Sequence, residues 1–176
     1  MYGFGTRGCG IAVVAAVAAG AALGLTAGSQ AATTDERTCR GTIGARSIDG
    51  DVRVPRGATC RLTGTKVDGN VKVYRGATLI ATRVRVGGNV QAENAKRVSV
   101  ARSVVGGNIQ LKQGRGPIAV SLNRVDGDIQ LFSNVGRSVV SRNVVDGNLQ
   151  CKSNRPKPIG GSNRVHGNKE DQCARL

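Results

Sequence analysis

The chain has 176 residues, and its 26 lysines and arginines outnumber its 11 aspartates and glutamates, which gives a formal net charge of +15. Aromatic residues make up only 2% of the chain and there is one histidine, so a stacking platform for bases or sugar rings and a histidine-based metal site are not expected. A basic surface of this size favours anionic partners, although it also serves the solubility of an exported protein.

Residues 1–31 have the features of a secretory signal peptide. A short basic region at Arg7 precedes the apolar stretch 11–26, and the small residues Ser29 and Ala31 stand before an expected cleavage near Ala32. The alternative is a retained N-terminal anchor, for which the apolar stretch is only marginally long enough. Cleavage predicts an exported protein without a membrane span, whose net charge is about +14 because Arg7 is the only charged residue removed.

Beyond this segment the chain repeats itself seven times. Each repeat is centred on a glycine, with Val or Ile two residues before it and Asn or Asp directly after it, as in Val-Asp-Gly-Asn-Val at 67–71. The central glycines, 19 or 20 residues apart, are Gly50, Gly69, Gly88, Gly107, Gly127, Gly147 and Gly167. A fixed period of this length is typical of a solenoid, in which each unit buries its apolar face against its neighbours.

Each repeat predicts three strands in chain order. After the glycine, apolar residues alternate with polar ones, as in Val71-Lys72-Val73, which is typical of a strand with one buried face. A second alternating segment, represented by Leu79 and Ala81, comes before the next glycine, and a short third strand leads into that glycine. No segment after residue 31 shows a helical period, and the turns between the strands span only a few residues, so no helix is expected.

The predicted fold is therefore all-β: a single parallel β-helix (β-solenoid) with three sides, about 19–20 residues per coil and six to seven coils. Parallel crossovers prefer one hand, which predicts a right-handed coil, although short left-handed triangular coils exist. The expected organisation is a signal peptide at 1–31, an N-terminal cap at 32–44, solenoid repeats at 45–168 and a C-terminal cap at 169–176.

The glycine and the residue after it are predicted to shape a turn. Glycine takes positive φ without steric cost, which a sharp bend between strands commonly needs. The polar side chains that follow the glycines are expected to stack as an amide ladder that satisfies the turn backbone, rather than as a row of ligands. The asparagines of this ladder are Asn70, Asn89, Asn108 and Asn148.

Four cysteines remain after the signal peptide, and an even number in an exported chain predicts disulfides. Cys39 and Cys60 lie 21 residues apart and Cys151 and Cys173 lie 22 apart, so each pair is separated by about one coil. Any other pairing would span several coils, which exceeds the Cα separation that a disulfide allows. The predicted bonds are therefore Cys39–Cys60 and Cys151–Cys173.

The last coil is predicted to stop further stacking. Lys169 and Asp171 take positions where earlier coils bury Val and Leu, and Pro156 and Pro158 lie in the final coil. Charge and proline at an exposed strand edge discourage the addition of other chains. A monomer is therefore expected.

Basic residues at fixed positions before the glycine are the candidate binding residues for polyanions. They form two columns, three and five residues before the glycine: Lys66, Arg85, Arg124 and Arg164 in the first, and Arg83, Arg102 and Arg142 in the second. Stacking of the coils is expected to turn each column into a stripe, with Leu122 interrupting the second. Binding through such stripes is electrostatic and does not imply sequence-specific recognition of nucleic acid.

Carboxylates also recur, one residue before the glycine. Asp49 and Asp68 form one neighbouring pair and Asp126 and Asp146 form another, an arrangement that can serve acid–base catalysis or calcium binding. Aspartate is also frequent in turns because its side chain accepts hydrogen bonds from the nearby backbone, and cations such as Lys66 balance its charge. The turn interpretation is favoured, so no catalytic, cofactor-binding or metal-ligating residue is predicted.

Two late segments carry a resemblance to known proteins: Gly-Asn-Leu-Gln-Cys-Lys-Ser-Asn at 147–154 and Gly-Asn-Lys-Glu-Asp-Gln-Cys at 167–173. They resemble a group of uncharacterised exported proteins of actinobacteria, which implies a secreted β-helix and brings no activity or site residues. The Gly-Asn-Val turns are also similar to those of bactofilins, which are polymer-forming bacterial solenoids. The signal peptide and the charged last coil depart from that family.

The function expected from the sequence is that of an exported, non-enzymatic structural or adhesion module of the bacterial cell envelope, with anionic cell-wall polymers as partners and no cofactor. One alternative is a polysaccharide-active, lyase-like β-helix enzyme that uses the carboxylate column, which requires a cleft with converging polar groups. A second alternative is a self-associating scaffold.

Overall fold

The computed structural model describes residues 35–176, which form 22 short β-strands and contain no helix. The strands are short because each coil passes through three of them and the turns between them. The signal peptide predicted at residues 1–31 lies outside the described residues.

The strands form three sheets, and in each coil the chain passes through sheet 1, sheet 2 and sheet 3 in that order. Sheet 1 contains Glu36–Thr38, Asp51–Val54, Val71–Val73, Val90–Glu93, Ile109–Lys112, Ile129–Phe132, Leu149–Lys152 and Lys169–Asp171. Sheet 2 contains Gly41–Ile43, Thr59–Thr63, Thr78–Thr82, Arg97–Ala101, Ile118–Ser121, Ser138–Ser141 and Ile159–Gly161. Sheet 3 contains Ser47–Ile48, Lys66–Val67, Arg85–Val86, Val104–Val105, Arg124–Val125, Val144–Val145 and Arg164–Val165.

The strands within each sheet are parallel, because a whole coil serves as the crossover between two neighbours. Val71 pairs with Val52 of the preceding coil and with Val90 of the following coil, and this offset of about one repeat runs through all three sheets. The prediction of one three-sided parallel β-solenoid of six to seven coils is confirmed. The hand of the coil stays a prediction.

Paired strands also occur in the two segments that the sequence assigns to caps. Glu36–Thr38 and Gly41–Ile43 begin the stacks of sheets 1 and 2, and Lys169–Asp171 ends the stack of sheet 1. Lys169 pairs with Leu149 and Asp171 with Cys151, yet both charged residues are exposed to solvent. The last coil thus continues the backbone ladder while it ends the apolar column.

The core is a stack of equivalent positions rather than a cluster around one centre. The inward column of sheet 1 is at most 1% exposed at Val52, Val71, Val90, Ile109, Ile129 and Leu149. Polar residues alternate with this column on the outer face, as the pattern predicts. Because each side chain packs mainly on the coils before and after it, a coil acquires its buried surface only from its neighbours.

The repeat glycines differ from the prediction in their backbone geometry. None of the seven has a positive φ, so the expectation that they supply a left-handed bend is wrong. A side chain is excluded instead by contact with the preceding coil: a Cβ on Gly88 would lie 2.5 Å from Asn70 Oδ1 and 3.0 Å from the carbonyl oxygen of Gly69. Glycine is required here because two turns approach closely.

The predicted asparagine ladder is confirmed. The backbone N–H of Asn89 donates to Asn70 Oδ1 at 2.8 Å, and the N–H of Asn108 donates to Asn89 Oδ1 at 2.7 Å. The ladder is continuous through Asp51, Asn70, Asn89, Asn108, Asp128, Asn148 and Asn168. Each side-chain oxygen satisfies a turn N–H of the next coil, which would otherwise lack a partner within the stack.

Two further asparagine ladders lie in the core and are absent from the sequence predictions. Asn123 Nδ2 donates to the carbonyl of Val100 at 2.9 Å and to Asn143 Oδ1 at 3.0 Å. The buried asparagines are Asn123, Asn143 and Asn163 between sheets 2 and 3, and Asn134 and Asn154 between sheets 1 and 2. Every buried side-chain nitrogen or oxygen of the described residues has a hydrogen-bond partner, so these polar columns carry no desolvation penalty for unpaired groups.

Both predicted disulfides are confirmed. Cys39–Cys60 joins Cα atoms 5.5 Å apart near the beginning of the stack, and Cys151–Cys173 joins Cα atoms 5.2 Å apart at its end. All four cysteines are at most 1% exposed. In the chain-entropy account, a bond that closes a loop of this length contributes about 3 kcal/mol, and it does so at the coils that have a neighbour on one side only.

The two faces of sheet 1 predict opposite responses to a new carboxylate. We expect Val71→Asp to lower the free energy of unfolding by about 3 kcal/mol or more, because the charge enters a dry column without a partner. Gln110→Asp, on the half-exposed outer face, is expected to cost less than about 1 kcal/mol. Urea denaturation followed by circular dichroism measures both, and equal losses would contradict the assignment of faces.

The steric role of the repeat glycine predicts a second pair of variants. Gly88→Ala should lower the free energy of unfolding by about 2–3 kcal/mol, because the methyl group overlaps Asn70 Oδ1 and displaces the ladder. Gly44→Ala is the matched control, since its Cβ would have no neighbour within 4 Å and its φ is not positive. The control should be unchanged or gain up to about 1 kcal/mol. Equal melting temperatures for the two variants would refute the close-contact explanation.

Candidate polyanion-binding face

Three of the four carboxylates of the turn column face neighbouring cations. Asp68 lies 2.8 Å from Lys66 Nζ, while Arg124 contacts Asp126 at 3.4 Å and Asp146 at 2.8 Å. These pairs lie at the surface, where each contributes about 1 kcal/mol or less to stability. Their main consequence is that the edge between sheets 3 and 1 carries balanced charge.

A stronger pair lies at the start of sheet 1. Asp51 accepts hydrogen bonds from the Asn70 backbone N–H at 2.7 Å and from Lys72 Nζ at 2.6 Å. Burial raises the pKa of the Asp51 carboxyl, but these hydrogen bonds outweigh it and hold that pKa below its ordinary value. The hydrogen bond to Asp51 raises the pKa of Lys72 in turn.

The first predicted column of cations lies on the outer face of sheet 3. Its members are exposed and each begins a two-residue strand: Lys66, Arg85, Arg124 and Arg164. Val104 and Val144 occupy the intervening coils, so the column is discontinuous. Two of its members, Lys66 and Arg124, are engaged by carboxylates, which leaves this stripe a weak site for a polyanion.

The second predicted column forms the turn between sheets 2 and 3. Arg83, Arg102 and Arg142 have φ values of 54°, 52° and 56°, and Leu122 continues the column at 59°. These residues occupy left-handed positions, as do Asn94, Gln113, Ser133 and Ser153 in the turn between sheets 1 and 2. The turn repeats because each backbone N–H donates to a carbonyl of the next coil, as Arg83 does to Ala101 at 3.1 Å. The arginine side chains are exposed.

The structure brings part of the two predicted columns together. An open groove of about 350 Å³ is lined by Gly64, Thr65, Lys66, Arg83, Val84, Arg85, Arg102 and Val104. Gly87 and Gly106 stand in these coils where others have aspartate, so Arg85 lacks the acidic neighbour that engages Arg124. Among the described residues, Arg83, Arg85 and Arg102 form no ion pair.

The charges of the whole solenoid are segregated. We define the basic face as sheet 2 with the turns on both sides of it, comprising 39–46, 56–65, 75–84, 94–103, 113–123, 133–143 and 153–163. No aspartate or glutamate lies in these segments, and none of their basic residues forms an ion pair within the described part of the chain. The basic residues are Arg40, Arg46, Arg56, Arg61, Arg75, Arg83, Lys96, Arg97, Arg102, Arg115, Arg137, Arg142, Arg155 and Lys157, all of them exposed.

The remainder of the described chain is close to neutral. All 11 acidic residues of the protein lie outside the basic face, on sheets 1 and 3 and the turns between them, where an equal number of lysines and arginines accompanies them. The excess charge of about +14 therefore projects from one side of the solenoid. A field of this kind attracts polyanions and orients them toward that side.

Sequence reasoning found only three of these residues, Arg83, Arg102 and Arg142. Most of the others lie in the turn between sheets 1 and 2, at varying distances from the repeat glycine, and so they do not form a column in the alignment of repeats. The signal that was available is the absence of acidic residues from every segment that enters sheet 2.

The chain matches no known protein family, and neither a curated protein nor a solved structure is significantly similar to it. The resemblance to exported actinobacterial proteins stays an expectation. Within residues 35–176, no helix has the length and apolar character to cross a bilayer, and no three His, Cys, Asp or Glu side chains are arranged to hold a metal ion.

The depressed pKa of Asp51 predicts a pH-dependent contribution to stability. The carboxylate form is favoured by folding, so its contribution is present above the unfolded pKa of about 3.8 and is lost as the pH falls through the lower folded value. Asp51→Asn keeps an oxygen for the ladder but does not titrate. We expect the variant to have a lower free energy of unfolding than the wild type at pH 7, and the difference between the two to shrink below pH 4. Chemical denaturation at a series of pH values measures both, and a difference that does not change with pH would contradict the prediction.

Proposed function

We propose that the protein is an exported, non-enzymatic structural or adhesion module that binds anionic polymers of the cell envelope through the basic face. The observation that carries the proposal is the segregation of charge: the face holds the whole excess of cations and no carboxylate. Solubility requires net charge but not its concentration on one side, whereas a binding surface for a polyanion requires both.

Export is supported by the two disulfides together with the signal peptide expected at residues 1–31. Disulfides persist in oxidising compartments and are rare in the cytosol. Cys39–Cys60 and Cys151–Cys173 fix the two ends of the stack, which are the coils most easily opened. A protein of the cell envelope is exposed to changing conditions, and such bonds keep its rigid surface intact.

We propose a non-enzymatic function because of the ion pairs and the position of the carboxylates. Asp68, Asp126 and Asp146 face cations, and Asp146 also lies 2.9 Å from His166 Nδ1. These groups lie at an exposed edge rather than converging in a cleft, which a catalytic site requires. We also propose that the protein acts as a monomer, because its last strand presents Lys169 and Asp171.

The proposal predicts binding that weakens steeply with salt. The affinity of the purified protein for a polyglycerol phosphate should fall linearly on logarithmic axes as the salt concentration rises, because bound cations displace counterions. Replacement of Arg75, Arg102 and Arg137 by Gln should lower the affinity roughly tenfold in fluorescence anisotropy or isothermal titration.

The matched control removes the same charge from outside the basic face. Arg53, Lys66 and Arg124 each face a carboxylate, and their joint replacement by Gln should change the affinity by less than about threefold. Equal losses in the two triple variants would show that net charge alone governs binding. Binding that does not respond to salt would overturn the proposal.

A further inference from the structure

The turn between sheets 1 and 2 is the most strongly charged part of the basic face. Every coil from the second strand of sheet 1 onward places at least one cation there, through six successive coils. These cations, together with Arg97 at the start of the adjoining strand of sheet 2, form what we call the cation row: Arg56, Arg75, Lys96, Arg97, Arg115, Arg137, Arg155 and Lys157. All are exposed, and none forms an ion pair within the described residues.

Backbone hydrogen bonds stack the turns that carry the cation row on one another. The N–H of Gly57 donates to the carbonyl of Arg75, which places Arg56 beside Arg75, and the N–H of Arg115 donates to the carbonyl of Ala95, which places it beside Lys96. In the later coils a bridge pairs Arg155 with Val135, and Arg137, the cation of the preceding coil, lies two residues beyond Val135. At about 4.8 Å per coil, the row extends over roughly 24 Å parallel to the solenoid axis.

The groove beside the row contains no carboxylate. It has a volume of about 300 Å³ and is lined by Arg75, Gly76, Asn94, Lys96 and Arg115. The nearest acidic residue along the chain is Glu93, which ends a strand of sheet 1 and does not line the groove. An anion in this groove therefore meets cations of two or three successive coils.

The opposite edge of sheet 2 is a poorer track. Its column contains only three cations, Arg83, Arg102 and Arg142. Leu122 lies between the last two of them, and Gly64 and Ser162 occupy the two ends of the column. Strands of up to five residues, or roughly 16 Å, separate this edge from the cation row. This distance exceeds the screening length of about 8 Å at physiological salt. An anion bound along one edge is thus largely independent of the other.

The chemistry of the row favours phosphate groups on a chain without rings. Six of the eight residues are arginines, whose planar guanidinium groups donate paired hydrogen bonds to phosphate oxygens. Neither of the two aromatic residues of the described chain lines the groove, and each already has a cation near its ring: Arg53 lies 5.0 Å from the ring of Tyr74 and Lys112 lies 5.9 Å from the ring of Phe132. Bases and sugar rings would therefore gain little here.

From these observations we infer that a linear polyol-phosphate polymer binds along the cation row, parallel to the solenoid axis, with its successive phosphates on successive coils. The inference rests on the proposed function and adds the class of polymer, the edge that binds it and its direction. The rigid stack keeps the backbone positions of the cations at fixed separations, so binding orders their side chains but requires no ordering of the backbone.

Two triple variants with equal loss of charge test which edge of sheet 2 binds the polymer. Arg75, Arg115 and Arg137 replaced by Gln should lower the affinity for polyglycerol phosphate roughly tenfold or more and make the logarithmic salt slope shallower by about 2, as the loss of three phosphate contacts requires. Arg83, Arg102 and Arg142 replaced by Gln should change the affinity by less than about threefold. Gln113 has a φ of 53° in a left-handed turn position, so glutamine suits the backbone of the second variant. Circular dichroism melts of both variants serve as the control that the fold is intact.

A series of glycerol phosphate oligomers tests the direction. Affinity should rise with chain length until the oligomer spans about 24 Å and then level off. Equal losses in the two triple variants would indicate contact with the whole face, as with an anionic bilayer, and would overturn the inference while leaving the proposed function intact. Binding of inorganic phosphate as tight as that of the longest oligomer would overturn it as well. Tighter binding of polygalacturonate than of polyglycerol phosphate would exclude the phosphate preference.

Discussion

The structure depends on the close contact between the turn of one coil and the turn of the next. A side-chain oxygen such as Asn70 Oδ1 accepts the N–H of Asn89 at 2.8 Å, and it reaches this donor only because Gly88 has no Cβ in its path. Glycine and asparagine are therefore required together, one for space and the other for the hydrogen bond. This contact, repeated from Asp51 to Asn168, fixes the register on which the three sheets and the apolar columns rely.

The core combines apolar and polar columns, and both are satisfied along the stacking direction. Valine, isoleucine and leucine pack on their counterparts in adjacent coils, while buried asparagines such as Asn123 and Asn134 bridge backbone groups at two of the turns. A buried amide without a partner would be costly, so each column of asparagine needs its neighbours as much as the apolar columns do. The disulfides at Cys39 and Cys173 reinforce the coils that lack one neighbour.

A rigid stack of this kind converts a sequence period into a surface period. Side chains at equivalent positions emerge about 4.8 Å apart, so one substitution repeated in each coil produces a stripe. On sheets 3 and 1 these stripes carry both signs and neutralise one another, as Arg124 does with Asp126 and Asp146. On sheet 2 and its turns only cations remain, and the field of the protein becomes one-sided.

The sequence by itself determined the period, the inward columns such as Val52 to Leu149, the ladder that begins at Asp51 and the two disulfides, because each of these is a relation between residues about one coil apart. It misjudged the repeat glycines, since the bend suggested positive φ, whereas the restriction comes from a side-chain oxygen 18 or 19 residues away. Only the tertiary structure decided where the charge lies: Arg75, Arg115 and Arg137 stand six, eight and ten residues after their glycines, and turns of different length bring them to one edge. The physical reason is that stacking aligns strands by their hydrogen bonds, not by their distance from the glycine.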